Sequence, residues 1–130
     1  MNLVYIFIGG GAGSLCRYFM SQLIKQKSES IFPLNILLIN ILGSFLIGIF
    51  FHLFYKFILP AKLRLFIMVG FLGGFTTFST YSLETVNLFR NGQYKYALQY
   101  IFLSNCISFL LTICGMYSAS ILVNTIKGTG

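Results

Sequence analysis

Charge is what this sequence lacks most. Only 8% of its residues are charged, and just two of them, Glu29 and Glu84, are acidic. Soluble globular domains have about a quarter of their residues charged. A 130-residue chain that is 57% hydrophobic, with mean hydropathy +0.85, is thereby excluded from that class. It reads as an all-α, polytopic membrane protein, and its length allows a single domain, residues 1–130. Histidine is almost missing: His52 stands alone near a segment end, where an interfacial role fits better than a ligand or proton relay. Without a nucleophile paired to histidine, and with no general base except Glu84, enzyme chemistry has no support. Cys16, Cys106 and Cys114 are odd in number and lack metal-ligand spacing, so they are expected to be buried small hydrophobes. A basic stripe or arm is also absent. The net charge of +7 is scattered between apolar segments, which argues against nucleic acid and reads as membrane flanks. The first segment has no basic leader, so it is taken as a retained span rather than a cleaved signal.

What is present is four long apolar segments, over about 3–24, 34–55, 65–88 and 96–123. Runs of about 20 residues match a bilayer core of about 30 Å. The connectors are short, so neighbouring spans are antiparallel: 25–33 holds Glu29 and ends on Pro33, 56–64 holds Pro60, and 90–95 centres on the turn pair Asn91-Gly92.

The third span is interrupted from within. Gly70-Phe71-Leu72-Gly73-Gly74-Phe75-Thr76-Thr77-Phe78-Ser79-Thr80-Tyr81-Ser82-Leu83-Glu84 combines glycines, a hydroxyl cluster and a carboxylate in apolar sequence. Glycine costs roughly 1 kcal/mol against alanine inside a helix, and hydroxyls compete for backbone hydrogen bonds. The helix is expected to break near its middle. Broken helix within a bilayer is tolerated only where it is buried in protein or faces a polar cavity, which makes this stretch a candidate site. Phe75, Phe78 and Tyr81, three apart, are expected to share one helical face among hydroxyls.

The other spans carry polar residues with periodicity. Gly9-Gly10-Gly11-Ala12-Gly13-Ser14 in the first span invites close approach of another helix. Arg17 lies about two turns inside the end of that span, where it either snorkels or serves as a vestibule cation that attracts an anion. In the second span Asn40, Gly43 or Ser44, and Gly48 fall along one side. An unpartnered mid-membrane asparagine costs several kcal/mol, so Asn40 either clips two helices together or faces a polar cavity. Tyr100, Ser104, Asn105, Ser108 and Thr112 form a polar stripe on the fourth span.

Orientation is undecided by charge. Lys56, Lys62, Arg64 and Lys127 fall at one face and Lys25, Lys27, Arg90 and Lys95 at the other, leaving the positive-inside rule nothing to act upon. Such a chain can insert both ways and pair with its inverted copy.

Three stretches, Gly9 to Tyr18, Asn40 to Gly48 and above all Gly70 to Glu84, closely resemble the Fluc family of small fluoride channels, and the resemblance runs through all four spans in order. It implies a plasma-membrane, passive fluoride channel that relieves fluoride toxicity, built as an antiparallel dual-topology homodimer in membrane lipid with two pores. It further implies a structural sodium ion at the dimer centre, held by backbone carbonyls that map to Gly73 and Thr76. Phe78 and Tyr81 map to pore-lining phenylalanines, with Ser79 and Thr80 between them. Asn40 maps to the pore asparagine and Glu84 to an acidic residue closing the motif. Tyr100, Ser104, Ser108 and Thr112 resemble the family's polar track, and Arg17 its vestibule arginine. Tyr81 departs from the usual phenylalanine. Glu84 either carries a proton and donates a hydrogen bond or pairs away from the ion. Two other readings remain. A small dual-topology multidrug cation exporter would need a carboxylate in the first span, where this chain has Arg17. A non-conducting partner subunit of a heterodimer would need a second gene product to restore flux.

Overall fold

The computed structural model describes residues 2–28 and 30–128. Glu29 and the side chain of Lys127 lie outside the described residues. The regular structure of the described residues is all helical: α1 Asn2–Lys27, α2 Leu34–Lys56, a third crossing made of several pieces, and α6 Tyr94–Gly128. The third crossing comprises α3 Ala61–Arg64, a π-helical segment Leu65–Phe71, α4 Leu72–Phe75 and α5 Phe78–Arg90. Asn2–Lys27, Leu34–Lys56, Ala61–Arg90 and Tyr94–Ile126 are each long and apolar enough to cross a membrane.

The helices overrun the apolar windows of the sequence because their polar flanks stay helical. Lys25 and Lys27 end α1, Lys56 ends α2 and Arg90 ends α5, all where cations meet the negative end of the helix dipole. Asn91-Gly92 closes α5 as a Schellman turn. Gln93 N–H donates to the Leu88 carbonyl at 2.8 Å and Gly92 N–H to that of Phe89 at 3.1 Å, with Gly92 at φ 72°.

Two tight helix pairs organise the bundle: α2 packs along α6, and α1 along the π segment and α4. In lipid, little hydrophobic force drives helices together, so close backbone approach has to supply the packing. A Cβ on Gly48 would strike the Thr112 carbonyl oxygen, and one on Gly115 that of Phe45. Likewise a Cβ on Gly13 would strike the Phe71 carbonyl oxygen, and one on Gly74 that of Gly10. The glycine cluster of the first span thus meets the glycines of the third. Asn35, buried, donates from Nδ2 to Ser21 Oγ at 2.8 Å and ties α2 to α1.

Two expectations are corrected. Cys16 and Cys114 are exposed on the protomer and Cys106 is only half-buried, because each sits on the outward side of its helix. His52 keeps its place near the end of α2, with its Nε2 buried and without a partner among the described residues. Phe75 leaves the face of Phe78 and Tyr81: it is 2% exposed and stacks on Phe71, with ring centroids 6.0 Å apart. The helical register does not continue across the two extended residues between Phe75 and Phe78. The π segment was unforeseen. Its signature is Leu72 N–H reaching back to the Ile67 carbonyl, and the apolar sequence there carries no mark of it.

Candidate functional site

Between α4 and α5 the backbone opens. Thr76 (φ −81°, ψ 155°) and Thr77 (φ −148°, ψ 112°) are extended. Threonine chemistry explains both edges of the opening. The Thr76 N–H and Oγ1 both donate to the Leu72 carbonyl, at 3.0 and 2.9 Å, ending α4. Thr77 caps α5: its Oγ1 accepts from Thr80 N–H at 3.3 Å, donates to Thr80 Oγ1 at 3.0 Å and lies 3.2 Å from Ser79 Oγ.

The remaining polar groups of Thr77 are met from α2. Thr77 N–H donates to Asn40 Oδ1 at 2.8 Å, and Asn40 Nδ2 donates to the Thr77 carbonyl at 3.1 Å. The side-chain amide thus copies a backbone partner, satisfying both halves of a residue that has left its helix. One Nδ2 hydrogen remains for another acceptor. Gly43, one turn further on, makes room for the Thr76 methyl, which a Cβ there would strike. From α1, Ser14 Oγ approaches the Gly74 carbonyl at 3.4 Å.

A cleft of about 320 Å³ lies against this opening, and Asn40, Gly73, Thr76, Phe78, Tyr81, Ser104 and Ser108 all line it. Phe78 is 75% exposed, so its ring stands out from the protomer at the cleft's edge. Tyr81 stacks at a tilt against Phe78, centroids 5.3 Å apart, and against Tyr100, 5.2 Å apart, forming an aromatic ladder. At its far end the fully buried Tyr100 donates from its hydroxyl to Glu84 Oε2 at 3.0 Å. Glu84 lines a second cavity, of about 340 Å³, together with Lys25, Asn87 and Gln93.

Other predicted residues stand apart from the cleft. Ser79 and Thr80 have hydroxyls engaged in the Thr77 cap. Thr112 Oγ1 lies within reach of the Ser44 and Ser108 carbonyls, at 3.1 and 3.0 Å, bridging α6 to α2. Arg17 lines neither cavity. Three lining residues with polar side chains were not among the predicted site: Thr77, Ser44 and Asn105. Thr77 could have been found from its spacing to Thr80, a capping pattern, and Asn105 belonged to the fourth-span stripe.

The fold and this cleft define a class: a small multi-pass helical membrane protein in which one crossing opens its backbone toward a polar cleft shared with its neighbours. Residues 4–116 match the model of the family described as CrcB-like protein, Camphor Resistance (CrcB), and the chain belongs to that family. It is similar to the fluoride-specific ion channel FluC of Ruminiclostridium cellulolyticum, 47% identical over 97% of this chain and 95% of the relative. The proteins of the same description from a Hydrogenobaculum species (42% identical, 94% of this chain and 100% of the relative) and Bacteroides fragilis (41%, 89% and 94%) are also similar. Family and spans together make this a multi-pass protein of the plasma membrane.

Proposed function

We propose that the chain is a passive, fluoride-selective channel that lets fluoride leave the cytoplasm, working as an antiparallel homodimer with two pores. The observation that carries this reading is the cleft at Thr76 and Thr77. There, hydroxyls and aromatic rims converge at mid-span with no lysine, arginine or histidine among the lining residues, and the matched relatives are described as fluoride channels. A small, strongly hydrated anion needs replacement ligands that hold it weakly enough to let it go. Ring edges are electropositive, so Phe78 and Tyr81 can offer a rim without a trapping charge. Ser104, Ser108 and the remaining Asn40 hydrogen are the matching donors. The hydroxyl of Tyr100 on Glu84 supports the alternative in which the carboxylate pairs away from the ion.

Sodium fits the same opening. The Gly73 and Thr76 carbonyl oxygens accept no hydrogen bond among the described residues, and a Cβ on Gly73 would meet nothing within 4 Å. Uncharged oxygens of this kind suit a hard cation. Bound there, it would supply fixed positive charge between the backbones. Dimerisation is supported by the outward-facing cleft and the exposed Phe78, because polar lining left toward lipid is costly.

Phe78→Ile tests the assignment. Purified protein in fluoride-loaded liposomes should release fluoride, and the variant, folded and dimeric, should not. Undiminished release by the variant would reject the role given to the ring.

A further inference from the structure

Asn105 stands outside the predicted pore set, yet it commits both hydrogens of its amide. Nδ2 donates to the Ile101 carbonyl at 2.8 Å and to the Tyr81 hydroxyl oxygen at 3.1 Å. The Ile101 carbonyl fixes which end of the amide faces it, since the opposite orientation would set two acceptor oxygens against each other. Tyr81 oxygen is therefore an acceptor toward Asn105, and its own hydrogen has no acceptor among the described residues. Across the same cleft, Ser104 is 8% exposed and its Oγ has no hydrogen-bond partner among the described residues. Two residues that line one cavity, one on α5 and one on α6, thus keep hydroxyl hydrogens unspent, that of Ser104 buried and that of Tyr81 partly exposed. A buried donor without an acceptor, as at Ser104, is unfavourable, and a compact anion held between the two residues would give each hydroxyl an acceptor.

We propose that Asn105 is a positioning residue that holds the Tyr81 hydroxyl as a donor, and that Tyr81 and Ser104 together form an anion subsite in the cleft. The subsite rests on the fluoride-channel reading and deepens it. Uncharged hydroxyls discriminate by acceptor strength, which favours fluoride among the halides.

The experiment is the concentration dependence of fluoride flux through the reconstituted full-length protein. Tyr81→Phe should raise the half-saturating fluoride concentration about tenfold, the scale of one hydrogen bond to a charged group. Asn105→Leu should do the same, and the double variant should be no worse than Tyr81→Phe alone, because Asn105 acts through the hydroxyl. Additive effects, or a half-saturation unchanged in Tyr81→Phe, would overturn the proposal. Ser104→Ala, the smallest change available, gives a second reading should Asn105→Leu lose its dimer: it should also raise half-saturation, and an unchanged value would remove Ser104 from the subsite. Wild-type protein that passes no fluoride would overturn the channel reading itself, a result distinct from a conducting protein indifferent to these substitutions.

Discussion

Asn40 spends most of its side chain on a single residue. Replacing it with alanine would leave the Thr77 N–H and carbonyl without the partners they have at 2.8 and 3.1 Å. Each buried orphan costs about 1–3 kcal/mol, so Asn40→Ala should lower stability by about 2–6 kcal/mol. Thermal unfolding of the detergent-solubilised protein would show this as a large drop in Tm; a wild-type Tm would mean the clip is dispensable. The sequence could say that an asparagine at mid-span needs a partner, and it left the choice between clip and cavity open. It could not name Thr77, because that partner is 37 residues away and is set by how α2 crosses the third span. Tyr81 was marked by its extra hydroxyl, yet the donor that meets it, Asn105, became visible only once α5 and α6 were side by side.

Glycine does two different jobs within the elements, and substitution separates them. A Cβ on Gly74 would meet the Gly10 backbone, so Gly74→Ala must push α1 off the third crossing and should cost about 1–3 kcal/mol. A Cβ on Gly11 would find open space, so Gly11→Ala should be neutral or gain up to about 1 kcal/mol of helix propensity. Paired unfolding measurements check the contrast, and equal effects at the two positions would contradict the packing described here. Four helical spans were legible because hydrophobic length and short polar connectors act locally. The hydroxyl cluster within the third span was legible for the same reason, but the part Thr77 plays as the cap of α5 was not. The π segment was not: Leu65–Phe71 is apolar throughout, and its widened turn has no local signature. Phe75 falls off the face of Phe78 and Tyr81 because a three-residue spacing keeps one face only along continuous helix, and the backbone between them is extended.

At the scale of the molecule, a polar cleft and an exposed aromatic ring face outward from a protomer whose surface is otherwise largely apolar. In the proposed channel an inverted second copy would cover this face, an arrangement that balanced connector charges permit. Adding three lysines to one set of connectors should bias all copies to one orientation and abolish flux. Co-expression with a variant biased the other way should restore it. Flux persisting in a fully one-sided population would contradict the antiparallel dimer. The most direct measurement of the central claim is halide efflux from liposomes holding the purified wild-type protein, read by fluoride- and chloride-sensitive electrodes. Rapid, complete loss of fluoride with chloride retained is the predicted result. Liposomes that keep their fluoride, or lose both ions alike, would contradict it.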